Sequence, residues 1–168
     1  MTTVRVGIIT VSTKGARGER ADESGPAMRD AVSAAGHEVV HEALVPDDVE
    51  AVATAILAAT RAGANLVLTS GGTGLSPTDV TPEATRRVLD REIPGIAEAL
   101  RARSLEKTAH AMLSRGVAGA LGKALVVNLP GSPRAVRESC DVLLPVVPHA
   151  IELLAGGSGE AGHAAGRR

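Results

Sequence analysis

Phenylalanine, tryptophan and tyrosine are absent from this chain. Its core must therefore be filled by Val, Leu, Ile, Ala and a few Met. No aromatic ring of the protein can stack on a planar ligand, whose flat part would lie on aliphatic side chains, peptide planes or Arg guanidinium groups. Cysteine is almost missing too: the single Cys140 excludes an intramolecular disulfide framework and a cysteine-based zinc site. It falls in a helical stretch from Arg134 to Leu143, where a buried, inert thiol is expected. Nor does charge of one sign dominate. Lys and Arg total 18 against 19 Asp and Glu, a formal net charge of -1. That balance argues against a nucleic-acid backbone or an anionic membrane as partner, so any phosphate must be held locally by loops and helix ends. No basic segment leads into an apolar stretch of signal-peptide length, and nothing approaches the ~20 apolar residues of a membrane span. The expected compartment is the cytoplasm.

The 168 residues are 44% hydrophobic and 22% charged, which suits one soluble domain burying roughly two-thirds of its unfolded surface. Val4 to Val11 reads as a strand, followed by a Gly-, Arg- and Glu-rich loop from Ser12 to Asp22. A helix follows from about Glu23 to Ala35, with Pro26 in its first turn and Gly36 as its stop. Glu38 to Val45 is the second strand, and Asp47 or Asp48 can cap the Ala-rich helix that Gly63 ends. The third strand, Leu66 to Ser70, runs into Gly71-Gly72-Thr73-Gly74. Thr81-Pro82 reads as N-cap and first residue of the next helix; helical segments then continue, broken near Pro94-Gly95, to about Val117. Lys123 to Leu129 is the fourth strand, Ser132 caps a helix to about Leu143, and Val147 to Leu154 forms the last helix. Short apolar strands alternating with amphipathic helices predict an α/β fold: a single three-layer α/β/α domain over residues 1–154 with a mostly parallel sheet. Residues 155–168 read as a disordered Gly-, Ala- and Ser-rich tail.

Ligands in such sheets bind beyond the C-terminal strand ends. Small, hydroxyl-bearing or acidic residues sit at each predicted end: Thr10 and Ser12; Asp47 and Asp48; Ser70 to Gly74 with Asp79; and Asn128, Gly131 and Ser132. The glycines of Ser70–Gly74 suit either a tight turn or a backbone cradle for an anion. The segment is neither a dinucleotide fingerprint nor a Walker A loop. Asp47 and Asp79 beside such a loop would repel phosphates unless a cation lay between them, and Mg²⁺ accepts one or two carboxylates with phosphate oxygens. The competing role is helix capping, which suits Asp47 better than Asp79, three residues before Pro82. His37, His41, His110, His149 and His163 lack metal-ligand spacing, and Arg86, Arg87, Arg101 and Arg103 read as solvated helix faces.

Thr69–Gly74 (TSGGTG) followed by Asp79–Glu83 (DVTPE) resembles the core signature of the molybdopterin-binding MogA/MoaB family, which includes the G domain of gephyrin. Ile9–Ser12 (ITVS), Asp22–Pro26 (DESGP), Val45–Asp48 (VPDD), Met112–Arg115 (MLSR) and Asn128–Ser132 (NLPGS) match in order, so the resemblance covers about residues 4 to 154. It implies adenylylation of molybdopterin by Mg-ATP, releasing pyrophosphate. By motif position, Asp47 and Asp79 resemble the catalytic, Mg²⁺-linked carboxylates. Gly71, Gly72, Thr73 and Gly74 resemble the nucleotide-phosphate or pterin-phosphate loop, and Ser12, Ser70, Gly131 and Ser132 resemble substrate- or nucleotide-binding positions. Ser104, Ser114 and Asn128 resemble positions lining the pterin and phosphate side. The resemblance also implies a homotrimer, or a hexamer of two trimers, and a molybdate-insertion protein downstream. Many relatives carry Asp after the first strand's serine, where this chain has Thr13-Lys14. Some MoaB-type members lack the first aspartate of the Pro-Asp-Asp block, which is kept here as Asp47. The alternatives are a non-catalytic molybdopterin-binding or scaffold protein, or a nucleotide-pyrophosphate hydrolase that would need a further domain.

Overall fold

The computed structural model describes residues 2–157, so most of the expected tail lies outside the described residues. Six strands form one sheet in the order β2-β1-β3-β6-β5-β4. The strands β1 (Arg5–Val11), β2 (Glu38–Val45), β3 (Leu66–Ser70) and β6 (Ala124–Leu129) are parallel. β5 (Ala118–Leu121) and the two-residue β4 (Arg91–Glu92) run antiparallel at one edge. The three-layer, mostly parallel prediction holds. β4 and β5 are additions to it, and their brevity explains why: Ala-Gly-Ala-Leu carries little strand propensity, and Arg-Glu none that can be read.

Alternation along the strands divides the core in two. Val6 and Ile8 of β1, Leu66 and Leu68 of β3, and Leu125, Val127 and Leu129 of β6 face one side. The one-turn α1 (Thr13–Ala16) falls inside the expected loop. Those strand residues meet Met28 of α2 (Ser24–Ala34), Leu100 of α5 (Pro94–Leu105), Cys140 and Leu143 of α6 (Pro133–Leu143), and Ile151 of α7 (Val147–Leu154). Ile9, Val11, Val67 and Val126 face the other side, against Val52, Ile56 and Ala59 of α3 (Val49–Arg61) and Ala84 of α4 (Thr81–Val88). Cys140 is buried as expected, and burial pushes its thiol up to about 11.

Without aromatic side chains to span the gap, the layers pack by close approach. A methyl group on Gly7 of β1 would stand 2.6 Å from Cβ of Ala59 in α3. Carbon atoms keep about 3.5–4 Å apart, so this small-residue contact sets the seat of α3 on the sheet. Its capping is equally local: the Asp48 carboxylate accepts from Ala51 N at 2.8 Å. That assignment matters for function, because it leaves Asp47 uncommitted to the helix.

The chain leaves β1 toward β2 on one side and passes from β3 toward β6 on the other, so the order reverses between β1 and β3. A crevice opens at such a switch point, beyond the carboxyl ends of the two strands. We expect Gly7→Ala to destabilise the fold by about 1–3 kcal/mol through overpacking, measured by urea denaturation. A loss below about 0.5 kcal/mol would show that α3 can shift freely.

Candidate active site

The turn after β3 is tied down through its carbonyls. Gly71 O accepts from Thr81 Oγ1 at 2.9 Å and Gly72 O from Thr81 N at 3.1 Å. Thr73 O accepts from Arg115 N at 2.8 Å, and Gly74 O from Arg115 Nε at 2.8 Å. The N–H groups of Gly72, Thr73 and Gly74 have no hydrogen-bond partner among the described residues. Carbonyls directed inward and unspent N–H groups are what a backbone anion cradle requires. Glycine is demanded twice over: φ is +99° at Gly71 and +67° at Gly72. A side chain on Gly71 would overlap the Val11 carbonyl at the end of β1, and one on Gly72 would overlap Thr81 Oγ1. Thr81 is thus a loop tie rather than the expected helix cap; Val80 precedes the helix with no side-chain cap.

Both acidic residues stand against this turn. A Cβ on Gly72 would be 3.1 Å from Asp47 Oδ1, and one on Gly74 would be 2.9 Å from Asp79 Oδ2. Each carboxylate is half committed. Asp47 Oδ2 accepts from Thr13 N at 3.0 Å and Thr13 Oγ1 at 2.8 Å, while Asp47 N donates back to Thr13 Oγ1 at 3.0 Å. Asp79 Oδ2 accepts from Ser76 N at 3.1 Å. The remaining oxygens, Asp47 Oδ1 and Asp79 Oδ1, make no hydrogen bond among the described residues. Asp47, Asp79, Gly71 and Gly72 line one cavity of about 570 Å³ at the switch point, with Arg20 and Asp22 on its wall.

The serines around this cavity mostly build it. Ser12 Oγ accepts from Gly15 N at 3.0 Å, and Ser132 Oγ caps α6 by accepting from Ala135 N at 3.1 Å. Ser70 Oγ donates to Pro130 O at 2.7 Å. Ser12, Ser70 and Ser132 line the cavity, but their hydroxyls hold the neighbouring backbone in place.

A second, mainly apolar cavity of about 290 Å³ lies on the other side of the turn, bounded by Thr73 and Gly74, with Leu100, Leu113, Ser104 and Ser114 on its wall. Asn128 lines it too, yet its side chain is spent. Its amide donates to Thr69 Oγ1 and Thr85 Oγ1, each at 2.9 Å, and its Oδ1 accepts from Val117 N at 3.1 Å. Asn128 braces β3, α4 and the approach to β5.

Three contributors escaped the sequence reading. Thr13 orients Asp47 through its backbone N–H and its hydroxyl. Asp22 is fixed by Gly25 N at 2.9 Å and Thr10 Oγ1 at 3.1 Å. Arg115 binds Thr73 O, Gly74 O and Asp79 O, the last at 2.9 Å, and pairs with Glu83. The Met112–Arg115 block was visible, but a clamp on backbone carbonyls leaves no trace in one sequence. The Arg115 hydrogen bond holds the Glu83 carboxyl below its ordinary value. Stability from this pair is therefore present at neutral pH and lost as pH falls through the lowered value. Among the described residues no three acidic, His or Cys side chains group into a metal site. Two carboxylate oxygens alone suit Mg²⁺, which completes its shell with phosphate and water oxygens.

A doubly wound sheet with two carboxylate oxygens and a turn of N–H groups unpaired among the described residues at its switch point is the arrangement that phosphate binding in an α/β domain requires. The family model described as "Probable molybdopterin binding domain" matches residues 7–149, and the chain belongs to that family. It is 38% identical over 155 residues to a molybdopterin adenylyltransferase of Pyrococcus furiosus, covering 89% of this chain and 90% of that one. A gephyrin of Dictyostelium discoideum is 39% identical over 89% of this chain, which spans 22% of that protein's length. Among solved structures, the molybdopterin biosynthesis enzyme MoaB of Thermus thermophilus is 52% identical, with a TM-score of 0.85 and 92% and 98% of the two chains covered.

Thr13→Val removes both hydroxyl bonds to Asp47. It is expected to cost about 1–2 kcal/mol of stability and at least tenfold in turnover, while Thr13→Ser keeps both. Steady-state rates for the pair test this; equal activity in Thr13→Val would remove the orienting role.

Proposed function

We propose that this protein is a cytoplasmic molybdopterin adenylyltransferase of molybdenum-cofactor biosynthesis. The reading is carried by one observation, the convergence of Asp47, Asp79, Gly71 and Gly72 on the switch-point cavity. The names and near-full-length coverage of relatives such as the Pyrococcus protein support it. The polar cavity takes the nucleotide's phosphates, and the apolar one takes the pterin on Leu100 and Leu113, as a chain without aromatic rings requires.

The molybdopterin phosphate is already a nucleophile. One of its oxygens attacks the α-phosphorus of ATP. The bond from that phosphorus to the bridging oxygen breaks, and pyrophosphate leaves with the electron pair. No covalent enzyme intermediate is needed, and positioning with charge neutralisation accounts for the catalysis. Asp47 and Asp79 would hold Mg²⁺ through their free oxygens, and the ion when bound neutralises phosphate charge. The N–H groups of Gly72, Thr73 and Gly74 receive phosphate oxygens, while Thr13 and Arg115 keep the acidic and glycine elements in register. The adenylylated product then passes to a molybdate-insertion protein.

Incubation with molybdopterin and Mg-ATP should yield adenylyl-molybdopterin by mass spectrometry. Asp79→Asn should reduce that yield at least 100-fold, the scale of losing a principal electrostatic element, while molybdopterin still binds. Turnover retained in the variant would remove the metal site. Binding without turnover in the wild type would make the protein a molybdopterin-binding scaffold instead.

We assign a homotrimer, with a hexamer of two trimers as its larger form. Large apolar side chains left exposed, Met112 at 65% and Leu75 at 64% among them, support burial by association. Light scattering at micromolar protein should give three or six chain masses; a monomer mass would overturn the assignment.

A further inference from the structure

Among the described residues, Gly131 alone lines both cavities. Its glycine has no geometric cause. Its φ is not positive, unlike those of Gly71 and Gly72. A Cβ at this position would meet Gly71 Cα at 3.5 Å and nothing else within 4 Å, an ordinary van der Waals contact. Backbone conformation and packing would therefore both accept alanine.

The peptide around it is held firmly. Gly131 O accepts from Ser24 Oγ at 2.6 Å, Pro130 O accepts from Ser70 Oγ at 2.7 Å, and Ser132 caps α6. A fixed stretch of backbone with no side chain thus stands where a polar cavity meets an apolar one.

We infer that Gly131 is the passage between two substrate subsites, bare so that the phosphate of one substrate can reach the α-phosphorus of the other. The inference rests on the adenylyl-transfer reading, in which an oxygen–phosphorus bond forms across this boundary as pyrophosphate departs. Reacting atoms must come within about 3–3.5 Å. An interposed methyl group keeps about 3.5–4 Å from each neighbour and cannot share that gap. Each ligand keeps its own cavity when a side chain is added at 131, but the two are held apart.

Gly131→Ala and Gly131→Val test this in the full chain. Both variants should keep the wild-type melting temperature, and both should bind Mg-ATP alone and molybdopterin alone within about threefold of wild type. Single-turnover adenylylation should fall about tenfold in Gly131→Ala and about 100-fold in Gly131→Val, the scale of a displacement near 1 Å. A second readout needs no turnover. With Mn²⁺ and a nucleotide whose α,β-bridge is methylene, the molybdopterin ³¹P signal should broaden in the wild type and sharpen in Gly131→Val. Wild-type turnover in Gly131→Val would overturn the passage, and so would loss of either ligand bound singly, which would assign Gly131 to one subsite. If Gly131→Val does not fold, the same criteria apply to Gly131→Ala. Broadening in the wild type without adenylylated product would defeat the adenylyl-transfer reading and leave the passage standing. Absence of broadening in the wild type would defeat the passage.

Discussion

The Gly71–Gly74 turn can bind an anion only if its carbonyls point away from it, and much of the surrounding structure serves that requirement. Thr81 takes the first two carbonyls and Arg115 the next two. The positive φ angles at Gly71 and Gly72 let the chain fold tightly enough for both to be reached. A side chain on Gly71 would meet the end of β1, and one on Gly72 would meet the tie from α4. The turn is therefore wedged at the switch point, and its free N–H groups are consequences of where its oxygens go.

The acidic residues follow the same division of labour. Each of Asp47 and Asp79 gives one oxygen to the protein and keeps the other unbonded among the described residues. Fixing one oxygen sets the direction of the second without consuming it, so a cation can be met with little reorganisation. Asp48 takes the capping role; otherwise Asp47 would be drawn to the helix. The aliphatic core supports the site through tight seating rather than bulk. Gly7 against Ala59 brings α3 close to β1, and α3 is the helix that Asp48 caps.

Apolar runs made most of the fold legible. β2, β3 and α7 fall where composition and periodicity place them; β3, buried along its whole length, leaves an unbroken hydrophobic signal, whereas β2 is a half-exposed edge strand. β4 and β5 carry no such signal, being short and made of polar or small residues. The gathering of Asp47, Asp79 and the glycine turn at one rim of the sheet was legible as well, since strand ends in this architecture converge. The pairing of Asp47 with Thr13 was not, because it joins residues 34 apart in sequence through a hydroxyl and a backbone N–H. Arg115 and Asn128 show the same limit from opposite sides. Arg115 clamps backbone carbonyls, which have no residue-specific signature. Asn128 sits at a cavity-lining position, yet its amide is committed to internal partners.

The central claim is that Asp47 and Asp79 share one cation with phosphates seated on the Gly71–Gly74 turn. A crystal structure with Mn²⁺ and a non-hydrolysable ATP analogue, read by anomalous scattering, tests it most directly. One metal peak is expected, about 2.0–2.2 Å from an oxygen of each aspartate, with phosphate oxygens on the N–H groups of Gly72 to Gly74. A nucleotide bound elsewhere, or a metal held by neither aspartate, would contradict it.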